Sequence, residues 1–327
     1  MTSYLVTGAS GAFGQAFVRR LLRTDDARRI VVFSRGEAKQ AEMRARFHDP
    51  EDRIRWCIGD VRDSDRVMDA CRGVDVVVHA AALKRIETCE ADPNEATATN
   101  VFGTQNVARA CIERGVKRAV FLSTDKAAAP NTHYGATKLA AERLWVASNV
   151  YAGALPTRFA ATRYGNVLGS TGSVALHWRE QKARHEPFTL TDGRCTRFWM
   201  RIEDAVDLVL LALHNMVGGE VFIPRLGASS VLDLARAVDP HWPVRETKLR
   251  PGEKLHETLV TEDEARRTHD HGTHYTIEPE ERLWEVAPPV SAPRVREGFT
   301  YRSDTARRLS VEELRGMLGY EVGRLAA

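Results

Sequence analysis

A glycine-rich run near the start of the chain constrains the fold more than any other feature. The run is Thr7-Gly8-Ala9-Ser10-Gly11-Ala12-Phe13-Gly14, between an apolar segment at residues 4–7 and a helical pattern at residues 13–23. In such a unit the first glycine permits a tight turn, the second lets the backbone approach a pyrophosphate, and the third allows close helix–strand packing. The helix N-terminus then offers free N–H groups to the phosphates. The run predicts a dinucleotide site, the alternative being a turn with only a structural role.

Apolar and amphipathic segments alternate through the first half of the chain. The pattern predicts strands at residues 4–7, 30–33, 54–58, 74–78 and 118–122, and helices at 13–23, 37–47 and 95–114. The fourth strand is a continuous apolar run, typical of a strand buried on both faces. The chain is therefore predicted to be α/β, with a doubly wound parallel sheet of the Rossmann type.

The pattern changes after about residue 158, where segments shorten and prolines become frequent. Helices are predicted at residues 202–215, 231–237 and 310–318, the last with Ser310 and Glu313 in capping-box spacing. We expect a dinucleotide-binding core with the catalytic residues at 1–165. We expect a smaller lobe at residues 166–327 that mainly binds substrate, and a strand of this lobe can pair with the sheet of the core. Residues 262–295 are polar and rich in histidine and proline, so we expect them to be loose or to contact a partner.

Composition excludes several classes of protein. The 327 residues are 43% hydrophobic and 28% charged, with a net charge of +3 and no basic tract, which argues against a nucleic-acid partner. No apolar run approaches the roughly 18 residues of a membrane span, and no signal peptide is evident, so we expect a cytoplasmic protein. The five cysteines lack C-x-x-C spacing, which predicts buried reduced thiols and no metal site.

The end of the second predicted strand bears on the choice of nicotinamide cofactor. An NAD site usually places an acidic residue there, but this strand ends in Ser34 and Arg35, with Lys39 nearby. Two cations suit a 2′-phosphate, so NADP is favoured over NAD. Asp60 and Val61, after the third strand, are expected to meet the adenine. The alternatives are solvated surface charges and, for Asp60, a helix cap.

Tyr134 and Lys138 form a candidate catalytic pair, four residues apart on one helix face. A lysine in this position is expected to lower the pKa of the phenol and to hold the nicotinamide ribose. The pair follows a strand ending in Leu122-Ser123-Thr124, which is the expected place after the preceding strand–helix units. His79, by contrast, is predicted to be a hydrogen-bonded core residue and not a base.

Taken together, these motifs resemble the extended short-chain dehydrogenase/reductases. The resemblance narrows at Ala80-Ala-Ala-Leu-Lys84, Ser123-Thr-Asp-Lys-Ala-Ala-Ala-Pro130, Arg163-Tyr-Gly-Asn-Val167, Thr196-Arg-Phe198 and Arg250-Pro-Gly-Glu-Lys-Leu-His-Glu257. This string is similar to the inverting UDP-N-acetylglucosamine 4,6-dehydratases of pseudaminic acid and capsule biosynthesis. The similarity covers nearly all of the chain to about residue 260.

The resemblance implies a role for each residue of the central motif. Tyr134, beside Thr124, would take the proton of the sugar 4-hydroxyl while hydride passes to tightly bound NADP. Lys126 would remove the proton on carbon 5, with its pKa lowered by burial or by Lys138, and a protonated Asp125 would release the 6-hydroxyl as water. The alternative for Asp125 and Lys126 is a surface ion pair.

The resemblance also implies residues that hold the cofactor and a UDP-sugar. Ala80, Ala81, Lys84 and Asn100 are expected near the cofactor, with Asn100 bracing the backbone. Lys84 is expected to contact the substrate as well, as are Asn166, Ser173, Arg197, Arg250 and Glu253. Each has a structural alternative, because arginine and asparagine often cap loops.

Several departures from the family pattern leave the exact sugar open. They are Thr171 in the loop after Asn166, the bulky His177 and Trp178 that follow, and Cys195. A retaining 4,6-dehydratase or a 4-epimerase therefore stays an alternative, and so does a non-catalytic NADP sensor, although retention of Tyr134 and Lys138 argues against the last. The fold type also predicts a homo-oligomer, either a dimer or a hexamer.

Overall fold

A computed structural model describes residues 2–24, 27–170, 172–284 and 291–319 of the chain. Its strands, in chain order, are β1 (Thr2–Thr7), β2 (Ala27–Ser34), β3 (Ile54–Ile58), β4 (Val76–His79), β5 (Arg118–Leu122), β6 (Arg158–Thr162), β7 (Asn166–Val167), β8 (Phe188–Leu190), β9 (Thr196–Met200), β10 (Val221–Pro224), β11 (Ala228–Ser230), β12 (Val244–Glu246), β13 (Thr258–Val260), β14 (Thr268–Asp270), β15 (His274–Ile277) and β16 (Tyr301–Arg302).

The helices alternate with the strands in the first half of the chain, as the sequence predicts. They are α1 (Ala12–Arg23), α2 (Glu37–Arg46), α3 (Ser64–Ala70), α4 (Ile86–Ala91), α5 (Pro93–Thr97), α6 (Gly103–Glu113), α7 (His133–Ala152), α8 (Val174–Ala183), α9 (Ile202–Asn215), α10 (Val231–Val238), α11 (Glu262–Ala265) and α12 (Val311–Met317). The predicted capping box at the start of α12 is confirmed. No helix in the described ranges combines the length and apolarity needed to cross a membrane.

The main sheet has nine strands within the described residues, in the order β14-β15-β10-β6-β5-β4-β1-β2-β3. Strands β1 to β6 and β10 are parallel, whereas β15 pairs antiparallel with both β10 and β14. The order 3-2-1-4-5-6 is that of a doubly wound Rossmann fold, which confirms the predicted fold class. The strand order reverses between β1 and β4, so the edge where their carboxyl ends meet is the expected ligand site.

Both faces of the main sheet are buried, because successive side chains of one strand point to opposite faces. Leu5 packs on the side of α3, α6 and α7, and Val6 packs on the side of α1, α2 and α9. A third cluster, centred on Trp178, Phe188 and Trp199, lies in the second half of the chain. The second half of the chain also supplies β10, β14 and β15 to the main sheet. The division of the chain into a core at residues 1–165 and a lobe at residues 166–327 stays a prediction.

The segment at residues 262–295 differs from its sequence-based expectation. Its described part contains α11, β14 and β15, and all four residues of β15 are buried, so the expectation of a loose segment is wrong there. In β15, His274 and Thr276 alternate with the core residues Tyr275 and Ile277, but an alternation of only four residues is too short to predict a strand. Residues 285–290 lie outside the described part of the chain.

Candidate functional site

The glycine run forms the turn between β1 and α1. Gly8 has φ +66°, and a Cβ there would lie 2.8 Å from the carbonyl of Ala80. A Cβ on Gly14 would lie 2.4 Å from the Cα of Ala9. Gly11 precedes α1, which no side chain caps and whose first turn has no acidic residue. The turn therefore lies close against the end of β4 and leaves the helix N-terminus for a phosphate group.

Replacing Gly8 with alanine is expected to destabilise the fold and to weaken cofactor binding together. A non-glycine residue at this φ costs about 1–3 kcal/mol, and the Ala80 contact adds to that. Urea unfolding and the amount of nicotinamide that copurifies would measure the two effects. Gly316→Ala is the control, because a Cβ at that position of α12 meets no atom within 4 Å and should stabilise the helix by about 0.5–1 kcal/mol. Equal stability of the two variants would contradict the prediction.

His79 joins the two strands at which the sheet order reverses. Its Nδ1 lies 2.6 Å from the Thr7 hydroxyl and its Nε2 lies 3.0 Å from the Thr104 hydroxyl. Burial lowers the pKa of His79 to about 3, so it is a neutral core histidine, as predicted. The Thr7 hydroxyl also accepts hydrogen bonds from the N–H groups of Ala80 and Ala81, at 3.2 Å each. These contacts hold the two loops that the sequence assigns to the cofactor against each other.

The charges at the end of β2 form a network at the surface. Arg35 Nη1 lies 3.4 Å from Asp60, and Asp60 accepts hydrogen bonds from Arg62. Burial alone would raise the pKa of Asp60, but its hydrogen bonds from Arg62 hold that pKa below the usual value. Lys39 is exposed one helical turn away. Asp60 caps no helix, since Asp63 accepts from the N–H of Arg66 at the start of α3.

Two further residues assigned to the cofactor, Ser34 and Val61, are buried. The Ser34 hydroxyl accepts a hydrogen bond from the Gln40 amide, at 3.0 Å. Val61 lies close to Gly103 at the start of α6, where a Cβ would come within 2.6 Å of the valine Cγ2. Both residues therefore have packing contacts of their own, and their role at the adenine stays a prediction.

Asn100 braces the loop after β4. It lies in a π-helical turn, Ala98–Phe102, between α5 and α6, an interruption common at functional sites. Its amide accepts from the N–H of Leu83 at 2.8 Å and donates to the Leu83 carbonyl and the Thr137 hydroxyl. The loop that carries Lys84 is thereby tied to α7, the helix of the candidate catalytic pair.

Asp125 is buried and the Lys126 side chain is 24% exposed, so the two form a largely buried ion pair and not a surface one. Thr124 caps a short 3-10 turn, Asp125–Ala127, that follows β5. The Thr124 hydroxyl donates to Asp125 Oδ1 at 2.9 Å, and Lys126 Nζ donates to the same oxygen at 3.1 Å. Asp125 Oδ2 is buried and has no hydrogen-bond partner among the described residues. One carboxylate oxygen thus holds the lysine while the other is left for a ligand.

A second carboxylate, Glu257, reaches the same lysine from the far side of the site. Its Oε1 lies 3.3 Å from Lys126 Nζ and 3.9 Å from Arg197 Nε. Burial raises the pKa of Asp125, and the charge of Glu257 adds to this against the opposing charge of Lys126. Burial alone would lower the pKa of Lys126, but the two carboxylates raise it instead. The expectation of a lowered lysine pKa is therefore wrong for this structure.

Tyr134 and Lys138 both lie on α7 and both are buried. Burial raises the pKa of Tyr134 to about 12, although Lys126 and a hydrogen bond with Thr124 act in the opposite direction. Burial lowers the pKa of Lys138 to about 7, and its Nζ donates to the carbonyl of Leu122 at 2.7 Å. The expectation that Lys138 lowers the pKa of the phenol is not met, because its ammonium group is bound at the end of β5.

Two residues of the second half of the chain each have a buried polar atom that lacks a partner within the described structure. The atoms are Asn166 Oδ1, in β7, and the Ser173 hydroxyl, which precedes α8 without capping it. Buried polar atoms are nearly always hydrogen-bonded, so both fit a polar ligand. Asn166 and Ser173 are two of the residues expected to bind substrate.

Arg197 and Arg250 share the carboxylate of Glu253. Arg197 is nearly buried and lies 3.1 Å from Glu253 Oε1, while Arg250 is exposed and pairs with Glu87 at 2.8 Å. The N–H of Arg250 also lies 3.2 Å from Glu253 Oε2. These contacts bring two of the predicted substrate arginines and Glu253 to the mouth of the same site.

The departures from the family pattern fall mostly away from the reacting groups. Trp178 is fully buried, stacks on Phe188 and donates to the carbonyl of Thr189, so its bulk lies in the core of the second half of the chain. His177 is exposed, and the buried Cys195 faces the backbone of Lys254. Thr171 lies outside the described residues. All five cysteines are buried free thiols.

Sequence reasoning missed the contributions that come from distant parts of the chain. Glu257, Lys254 and the buried trio of Arg163, Glu142 and Glu264 had no assigned role. Each of the first two falls inside a motif, yet only the folded chain brings Lys254 Nζ within 2.9 Å of the Ala128 carbonyl. No cluster of potential metal ligands occurs among the described residues.

Comparison with known proteins identifies relatives along nearly the whole chain. A family model described as "Polysaccharide biosynthesis protein" matches residues 4–279. A UDP-N-acetylglucosamine 4,6-dehydratase (inverting) from Campylobacter jejuni is 42% identical over 308 residues, 92% of each chain. A UDP-glucose 4-epimerase from Rickettsia bellii is 37% identical over 323 residues, covering 96% of this chain and 94% of its own.

Solved structures agree with these sequence relatives. Pen from Bacillus thuringiensis superimposes with a TM-score of 0.88 at 35% identity, over 98% of both chains. The dTDP-glucose 4,6-dehydratase DesIV from Streptomyces venezuelae, solved with NAD and TYD bound, has a TM-score of 0.68 at 26% identity, over 77% of this chain and 86% of its own. The chain therefore belongs to the polysaccharide biosynthesis protein family, within the extended short-chain dehydrogenase/reductases.

Proposed function

We propose that this protein is an NADP-dependent UDP-N-acetylglucosamine 4,6-dehydratase that inverts carbon 5 and yields a 4-keto-6-deoxy-L-hexosamine nucleotide for bacterial glycan biosynthesis. The observation that carries the proposal is the 3.1 Å hydrogen bond between Lys126 and a buried Asp125, next to Tyr134. The pair places a base, Lys126, beside an acid, Asp125, as the elimination of water requires. The named dehydratase relative supports the same chemistry.

The glycine turn and its surroundings fit a dinucleotide. Gly8, Gly11 and the first turn of α1 would hold the pyrophosphate, and Lys138 would hold the nicotinamide ribose. When bound, the nicotinamide would supply reversible hydride chemistry at the sugar. Tyr134 would accept the proton of the 4-hydroxyl, which needs a lower phenol pKa than burial alone gives. The nearby Lys126 charge and the Thr124 hydrogen bond act in that direction.

Elimination then requires Lys126 to be neutral and Asp125 to be protonated. Transfer of one proton along their hydrogen bond produces both forms at once. The amine of Lys126 takes the proton from carbon 5, and that C–H electron pair forms the bond between carbons 5 and 6. The bond from carbon 6 to oxygen breaks as Asp125 protonates the oxygen, and water leaves. The hydride taken from carbon 4 would return from the bound nicotinamide to carbon 6, which becomes the methyl group and leaves its former double-bond partner to be protonated. Protonation of carbon 5 from the face opposite to the one that lost its proton then inverts that centre.

The choice of NADP over NAD rests on Arg35 and Lys39. Replacing both with alanine is expected to weaken NADP binding by about 10–100-fold, because charge-assisted hydrogen bonds to the 2′-phosphate are lost. NAD binding should change little. Fluorescence titration of both cofactors measures the ratio, with Arg20→Ala, on the exposed side of α1, as the control. An equal loss for the two cofactors would make the NADP assignment wrong.

A 4-epimerase is the second candidate function, because the Rickettsia relative with that name covers almost the whole chain. An epimerase needs the hydride chemistry of Tyr134 but not the elimination by Asp125 and Lys126. A retaining dehydratase needs elimination without inversion.

The cytoplasmic location and a homo-oligomeric assembly stay predictions from the sequence.

A proton NMR time course with UDP-N-acetylglucosamine in deuterated water separates these functions. Without added cofactor, we expect a new methyl signal, deuterium at carbon 5 and the arabino configuration. A methyl signal with the gluco configuration would exclude inversion. A 4-epimeric product without a methyl signal would show that the protein is an epimerase and not a dehydratase. No reaction would overturn the proposed function with UDP-N-acetylglucosamine, and other nucleotide sugars would then be tested because the departures from the family pattern leave the sugar open.

A further inference from the structure

Glu257 is a buried carboxylate at the reacting end of the site. Its side chain is only 3% exposed, and Oε2 has no hydrogen-bond partner among the described residues. The backbone is fixed on both sides by Ser303, since the N–H of Glu257 donates to the Ser303 hydroxyl and its carbonyl accepts from the Ser303 N–H, at 2.9 Å each. A buried charge is costly unless other charges compensate for it. This carboxylate is therefore held rigidly, and the cations around it must compensate for its burial.

The position of Glu257 complements that of Asp125. Each presents one oxygen to Lys126 Nζ, at 3.3 Å and 3.1 Å. In the proposed elimination Asp125 must carry a proton, so it cannot then neutralise the ammonium ion that forms on Lys126. Glu257 remains ionised, because Lys126 and Arg197 hold its pKa below the usual value despite its burial.

We infer that Glu257 is a positioning residue for Lys126, orienting its amine and stabilising the ammonium ion formed when the amine takes the carbon 5 proton. The inference deepens the proposed function and rests on it. The arrangement is analogous to a carboxylate that orients a catalytic imidazole and stabilises its charged form. In this role Glu257 acts through Lys126 and does not itself bind the reacting carbons of the sugar.

Several charged or titratable groups face Lys126, and they define what a pH measurement reports. Asp125 lies beside it in the chain, and Tyr134 faces it from α7. Arg197 comes from β9, and Lys254 and Glu257 come from the segment before β13. The two carboxylates stabilise the ammonium form and Arg197 and Lys254 oppose it. Loss of the Glu257 charge must therefore lower the pKa of Lys126.

The variant Glu257→Gln tests the inference by a pH profile. We expect kcat for dehydration to fall by about 10–100-fold. The acidic limb of its pH profile should move to lower pH, because the doubly protonated Asp125–Lys126 pair loses its first proton more readily without the charge of Glu257. Glu257→Asp should recover part of the rate and of the profile. Glu253→Gln is the matched control, since it removes the other carboxylate bound to Arg197 without touching Lys126. It should raise KM and leave the acidic limb in place.

A direct titration separates this inference from the proposed function. The carbon-13 signal of Lys126 Cε, assigned by its absence in Lys126→Arg, reports protonation without any substrate. We expect a lower midpoint in Glu257→Gln than in the wild-type protein and in Glu253→Gln. Identical midpoints in all three, or an unmoved acidic limb, would overturn the role of Glu257. Absence of a methyl product from the wild-type protein would instead overturn the proposed function.

Discussion

Replacing Lys126 with alanine is expected to lower the rate of water loss by about 10³-fold, a typical contribution of a general base. The variant keeps Tyr134, Lys138 and the glycine turn, so oxidation at carbon 4 can proceed. Without a base for the carbon 5 proton, the reaction should stop there with reduced nicotinamide on the enzyme. A single-turnover absorbance measurement after addition of UDP-N-acetylglucosamine should show this reduced cofactor, and NMR should show no methyl signal.

Two further variants make the Lys126 result specific. Asp125→Asn should block the same step, because an amide cannot protonate the leaving oxygen. Lys182→Ala removes a half-exposed lysine that pairs with Asp239, far from the candidate site, and should turn over normally. Normal dehydration by Lys126→Ala would show that another group removes the carbon 5 proton. Loss of cofactor reduction as well would mean that the side chain serves binding and not elimination.

The sequence predicts most of the parallel sheet because its signals are local. The strand at residues 54–58 and the helix at residues 202–215 match β3 and α9 at both ends. The helices α3 and α4 were not predicted, because seven and six residues are too few to show a helical period. The helix predicted at residues 95–114 is interrupted by a π-helical turn that no local pattern indicates.

The candidate site divides in the same way between local and distant contributions. Thr124, Asp125 and Lys126 are adjacent in sequence, and Tyr134 and Lys138 share one helix, so a motif places each group. Glu257 meets Lys126 only because β13 packs near the short 3-10 turn after β5. The pKa directions depend on such contacts, and this is why the expectations for Lys126 and Tyr134 were wrong.

Replacing Arg163 with methionine is expected to lower the free energy of unfolding by about 3–5 kcal/mol, because it breaks a buried charge network. The guanidinium is fully buried and binds Glu142 and Glu264, and it donates to the carbonyl of Leu259 at 2.9 Å. Glu142 lies on α7, the helix of Tyr134 and Lys138, so the network anchors that helix to the chain around α11. Loss of the arginine breaks the ion pair of Glu142 and leaves Glu264 with only Arg267, at 3.9 Å. Urea unfolding measures the change.

Three comparisons decide whether buried charge causes that loss of stability. Arg109→Ala removes only an exposed pair with Glu113 and should leave the free energy of unfolding nearly unchanged. Adding Glu142→Gln and Glu264→Gln to Arg163→Met should recover part of the stability, since no charge is then left unpaired. Despite burial, Arg163 lowers the pKa of Glu264 to about 2 from 4.5, so in the wild-type protein this stabilisation is complete above pH 4.5 and is lost as the pH falls towards 2. The penalty of Arg163→Met should therefore shrink in acid, and a penalty independent of pH would mean that packing, not charge, is the reason why Arg163 is needed.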